Sequence, residues 1–180
     1  SLIRYVRFSG RHCHVSEAQR DFAYHPEKLA DALAHQAFAP CSAVVPISSG
    51  FVPPVGSGED APLVFAQQGY MLFCLQVQEK ILPPAVLKEQ HELKVQELED
   101  KLGKRLGRDE RLRMKDELTH TLLGKAFHKT SKTYAYLDVA RQMLVVDTSS
   151  ARRLELFYKV AHPILAEFEI SPHSLQSPSE

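Results

Sequence analysis

Two runs of apolar residues at helical spacing, broken once by glycine, fill the middle of this 180-residue chain and limit what it can fold into. Val86, Leu87, Leu93, Val95, Leu98, Leu102 and Leu106 recur among glutamates and lysines. Leu112, Met114, Leu118, Leu122 and Leu123 resume the pattern until Gly124. Spacing of three and four residues on a polar background predicts helix. Gly103 and Gly107 each weaken helix propagation by about 1 kcal/mol relative to alanine, which puts a turn near Lys104–Asp109. The expectation is a projecting helical hairpin over about 84–124. Residues 1–83 and 125–170 then form one lobe around it, with 171–180 as a flexible tail.

Charge is gathered on this stretch. From Lys88 to Lys132 there are twelve Lys/Arg and nine Asp/Glu, a net of +3, in a chain whose formal charge is zero, so the remainder carries −3. Lys101, Lys104, Arg105, Arg108, Arg111 and Arg113 face only Asp109 and Glu110 within residues 101–113, a net of +4. Lys125, Lys129 and Lys132 make a second knot at the base. Such gathering is the footprint of a surface for a polyanion. A charged, solvated pair of self-packing helices is the plainer alternative. Phe127 stands between Lys125 and His128-Lys129, badly placed for its own core and well placed to anchor in a pocket elsewhere. It could instead fold back on the strands that follow.

The flanks alternate strand pairs with helices. Residues 2–8 read as an edge or half-exposed strand. A helix opens at Pro26 and runs through Leu29, Ala30, Leu33 and Ala37 to Phe38, with Pro40 ending it. Cys41 to Pro62 reads as loop with short extended pieces such as Phe51-Val52. Leu63–Ala66 and Tyr70–Val77 form a hairpin around Gln67-Gln68-Gly69, and Thr133–Val139 with Met143–Asp147 a second. Ser149 or Ser150 caps a helix through Leu154, Leu156, Phe157 and Val160 that Pro163 interrupts or ends. Phe168–Ile170 could be a last strand. The order predicts an α+β fold with a largely antiparallel sheet.

Chemistry-bearing motifs are sparse. No G-x-S-x-G, Walker loop, GxGxxG or H-E-x-x-H is present. Cys13, Cys41 and Cys74 lack CxxC spacing and read as reduced thiols. Cys74, inside an apolar strand, is expected to be inert. His12 and His14 could share an ion, but two ligands do not close a site. Asp138 and Asp147, at the ends of adjacent strands, could pair as carboxylates and more simply serve as turn or cap residues. No catalytic, metal or cofactor role is expected. Nor does any run approach the roughly 18 apolar residues of a membrane span, so the expected address is cytoplasmic.

Several segments together resemble the recombination-associated protein RdgC family. They are Ala37-Phe38-Ala39-Pro40-Cys41, Gly50-Phe51-Val52-Pro53-Pro54-Val55-Gly56 and Glu79-Lys80-Ile81-Leu82-Pro83. Lys115-Asp116-Glu117-Leu118, Leu122-Leu123-Gly124-Lys125-Ala126-Phe127, Tyr136-Leu137-Asp138 and Leu144-Val145-Val146-Asp147 follow in the same order. Phe51 departs from the family's usual Trp and Gly124 from its usual Pro. The resemblance covers the family's N-terminal half. It implies a non-sequence-specific binder of double-stranded DNA, associated with the nucleoid. Such a protein forms a ring-shaped homodimer and restrains RecA-mediated strand exchange, without catalysis or cofactor. It also implies that Phe127, with His128 beside it, lies at the dimer interface. The nine cations named above are then candidates for DNA contact. A protein–protein interaction module docking through the helical hairpin, without intrinsic DNA binding, is the alternative.

Overall fold

The computed structural model describes residues 3–8, 25–58, 60–138, 143–167 and 172–176. In chain order these form β1 (Ile3–Phe8), α1 (Pro26–Ala34), β2 (Ile47–Val52), β3 (Phe65–Gln67), β4 (Tyr70–Lys80), α2 (Pro84–Leu102) and α3 (Arg108–Lys125). Then come β5 (His128–Asp138), β6 (Met143–Asp147), α4 (Ala151–Glu167) and β7 (Pro172–Gln176). The fold is α+β. Its strands lie in the order β2-β4-β5-β6-β1-β7, with β3 paired to β4 off that path. The pairs β1–β6, β1–β7, β3–β4 and β5–β6 are antiparallel.

The described residues divide into two compact units, one drawn from 1–39, 49–77 and 131–180, the other from 40–48 and 78–130. The first owns the main core. Its sheet contributes Phe51, Phe73, Leu75, Leu137, Leu144 and Val146, and α1 adds Leu29 and Leu33. From α4 come Leu154, Phe157, Ala161, Ile164 and Leu165, a stripe at helical spacing. The rings of Phe51 and Phe73 lie 6.0 Å apart and those of Phe73 and Phe157 5.9 Å apart, so one aromatic relay links β2, β4 and α4.

Turn chemistry follows the sequence closely in places. Gln68 and Gly69 both take positive φ, 51° and 83°, between paired Gln67 and Tyr70, the two-residue hairpin turn that suits twisted strands. Ser150 is the residue that caps α4, its Oγ accepting from Arg153 N at 3.4 Å.

Elsewhere the structure corrects the reading. Helix α1 stops at Ala34, short of Phe38. The reason is competition: Phe51 N donates to Gln36 O at 2.8 Å and Phe38 N donates to Phe51 O at 3.0 Å, so these backbone groups serve a parallel bridge. Strand β2 starts at Ile47, taking in Ser48, Ser49 and Gly50 that look like loop. Strand β5 begins at His128, well before Thr133. Helix α4 runs through Pro163 to Glu167. Proline in a helix interior costs about 3 kcal/mol, and burying Ile164 and Leu165 beyond it returns a similar amount. Residues 172–176 of the expected flexible tail form β7, paired with β1 from Tyr5↔Gln176 to Phe8↔Pro172. Backbone pairing needs no apolar run, and Pro172 stands at the strand's first residue, where a missing N–H is tolerated. The His12-Cys13-His14 cluster and the strand expected at Phe168–Ile170 lie outside the described residues.

Candidate nucleic-acid interface

The second unit is built on α2 and α3. Pro84 sits in the first turn of α2, where its lost N–H has no intrahelical acceptor to miss. Gly103 ends that helix in the left-handed region (φ 65°), and extended Gly107 precedes α3. Glu110 reaches back to accept from Gly107 N at 3.0 Å. Along the hairpin Val95, Leu106 and Leu118 are buried, Leu98, Met114, Leu122 and Leu123 are half-buried, and Leu93, Leu102 and Leu112 are exposed.

Polar links cross the turn as well. The Glu99 carboxylate accepts from Leu106 N at 2.8 Å and from Arg111 Nη2 at 2.5 Å, while His91 Nε2 lies 2.9 Å from Arg111 O. The Leu106 N–H bond, then the Arg111 guanidinium, hold the Glu99 carboxyl below the usual carboxylate range. Glu97 is lowered likewise by the Lys101 ammonium, 2.6 Å away.

The nine candidate cations therefore divide. Lys101 and Arg111 are paired with Glu97 and Glu99, and Arg111 Nε is buried without a partner. Lys104, Arg105, Arg108 and Arg113 are exposed at the turn and first turns of α3, and make no ion pair among the described residues. Lys125 is exposed at the other end of the hairpin, and Lys129 and Lys132 are exposed on β5. Sequence spacing offers the Glu97–Lys101 pair, four residues apart on one helix, but not the Glu99–Arg111 pair, which depends on how α2 and α3 align.

Phe127 lies just before β5 with its side chain 86% exposed, and His128 beside it is exposed too. Its backbone is held: Ile81 N donates to Phe127 O at 2.7 Å, and Lys80 Nζ to Ala126 O at 3.1 Å. Folding back on the strands is not what this side chain does. Near it in the same unit, Lys80 N donates to Pro46 O at 2.8 Å, which ties in a loop bearing exposed Val44 and Val45. Sequence patterning did not mark those valines, since no periodicity distinguishes them within a loop.

The chemistry-bearing residues of the first unit are less suggestive. Cys74 is fully buried, and burial pushes its thiol up to about 11, against nucleophilic use. Asp138 pairs in register with Met143, the first residue of β6, so Asp147 lies four residues further along, roughly 13 Å away. These two carboxylates do not converge. Among the described residues, no three His, Cys, Asp or Glu side chains are grouped to hold a metal ion. No described helix is long and apolar enough to cross a membrane.

Comparison with known proteins bears on the same stretch. A family model described as "Putative exonuclease, RdgC" matches residues 11–180. The recombination-associated protein RdgC of Halorhodospira halophila is 39% identical over 150 residues, which is 83% of this chain and 49% of that protein. The proteins of that name from Salmonella paratyphi B and Salmonella typhimurium are each 34% identical over 166 residues, 92% of this chain and 54% of theirs. The chain spans about half the length of these curated relatives. A match of that extent, carrying the hairpin, its glycine turn and the Phe127 segment together, makes this chain a member of the RdgC family.

Proposed function

We propose that this chain acts in DNA recombination by binding double-stranded DNA without sequence preference. The contacts are made by Lys104, Arg105, Arg108 and Arg113, with Lys125, Lys129 and Lys132 as further cations. The observation that carries the reading is the set of exposed cations at the hairpin turn that make no ion pair among the described residues. Such side chains answer phosphates, and nothing in the sequence offers a zinc finger or recognition helix for reading base edges. Lys101 and Arg111 contribute less to DNA, since binding must first release them from Glu97 and Glu99. The names of the relatives support a recombination role. Within it, the protein forms a homodimer around duplex DNA through Phe127 and His128 and hinders RecA-type strand exchange, in the nucleoid.

Retention of a random-sequence duplex, measured from low to moderate salt, tests the DNA reading. Affinity should fall linearly on a log–log scale, by about 0.9 per phosphate neutralised. Absence of binding at low salt and micromolar protein would remove the reading.

A second reading has its own observation. Leu93, Leu102 and Leu112 are exposed on the hairpin, which suits a protein partner docking along the helices. Under that reading Leu93→Ser/Leu112→Ser loses partner capture while duplex retention stays unchanged.

A further inference from the structure

We infer that Glu99 is a positioning residue for DNA binding: its carboxylate sets the hairpin turn so that Lys104, Arg105 and Arg108 meet the duplex together. This rests on the DNA reading above. The turn that carries those cations contains Gly103 and Gly107, two residues that leave a free loop with much backbone freedom. Glu99 removes it from both sides. It is on α2, yet it accepts from Leu106 N at the far end of the turn and from Arg111 on α3. Leu106, whose side chain is buried, is thereby pinned in backbone and side chain alike. Lys104 and Arg105 are flanked by this anchor and the αL cap, and Arg108 follows the Gly107 amide held by Glu110. Without that anchor the turn holds Lys104, Arg105 and Arg108 in no single arrangement, so fewer of them reach phosphates in the same complex.

The inference has a sign that simple electrostatics lacks. Removing a carboxylate beside a basic turn lowers its repulsion of phosphate and frees Arg111, so charge alone makes Glu99→Ala bind DNA more tightly. Positioning makes it bind more weakly. The experiment compares the full chain, Glu99→Ala, Glu99→Gln and Lys104→Ala/Arg105→Ala/Arg108→Ala on one random-sequence duplex across a salt series, with far-UV circular dichroism confirming helix content. The expected result is about tenfold weaker binding for Glu99→Ala at low salt. Its log–log slope should be shallower by about 0.9 for each cation lost from the duplex. Glu99→Gln keeps an acceptor for Leu106 N and should recover part of the loss.

Binding by Glu99→Ala that is equal or tighter, while the triple variant is weakened, overturns the inference and leaves the DNA reading standing. Weaker binding with an unchanged slope also overturns it, since that pattern reports lost protein and not lost contacts. An unweakened triple variant instead overturns the assignment of DNA contact to the turn.

Discussion

At the scale of single residues, two glycines that look equivalent in sequence do opposite things. Gly50 lies where β2 meets the backbone after α1. A Cβ there would sit 2.7 Å from the Ala37 carbonyl carbon and closer still to the Phe38 backbone. Only backbone atoms stand in the way, so no rotamer change can relieve the clash. Gly50→Ala should lower the unfolding free energy by about 1–3 kcal/mol or more, with the thermal midpoint falling about 2–4 °C per kcal/mol. At Gly124, in the last turn of α3, the same methyl would meet the Ala43 Cβ at 3.8 Å, an ordinary contact. Gly124→Ala should be neutral or stabilising by under about 1 kcal/mol. Thermal unfolding of both variants checks the pair, and an unaffected Gly50→Ala midpoint would show that the approach is looser than it looks. Neither difference is visible in the sequence: Gly50 reads there as loop punctuation, because its constraint comes from the Phe38 backbone twelve residues away.

At the scale of elements, legibility follows whichever force decides the element. Local chemistry wrote the glycine turn between α2 and α3, the Gln68-Gly69 turn and the Ser150 cap; the two turns could be read directly, and the sequence narrows the cap to Ser149 or Ser150. Long-range pairing decided the start of β2, the polar opening of β5 and β7, and residues 172–176 gave no apolar cue to it. Burial decided α4, where Leu165 and Ile164 outweigh Pro163. The hairpin is a fourth case: a carboxylate links its two helices across the turn, and that link should respond to acid. Glu99 has a folded-state pKa below its unfolded value. Its stabilisation is therefore complete above the unfolded pKa and is lost as pH falls through the lower, folded one. The Leu106 amide proton, which donates to Glu99, should shift in NMR spectra with a midpoint below that of a free glutamate. Glu99→Gln should abolish that titration. A midpoint at the free value would mean that the link across the turn does not persist in solution.

At the scale of the whole molecule, an exposed aromatic on a fixed backbone separates folding from association. Phe127 is 86% exposed, so truncating it removes little that the folded chain buries. Its carbonyl is engaged by Ile81 N, a bond that survives a change of side chain. Phe127→Ala should therefore leave unfolding free energy within about 0.5 kcal/mol of the parent, as surface substitutions usually do. If a sister subunit receives the ring, the same change should cost association at least about 2 kcal/mol, roughly thirtyfold in dimer dissociation constant. Sedimentation equilibrium reads that shift, and thermal unfolding supplies the control. A parent chain that sediments as a monomer at all accessible concentrations sinks the wedge for this chain. So does a Phe127→Ala variant that dimerises as well as the parent. Loss of stability together with loss of the dimer would place the ring in its own fold after all. The three outcomes differ because exposure and backbone anchoring occur in one residue, a combination that its cationic neighbours Lys125 and Lys129 suggest and that only the fold makes measurable.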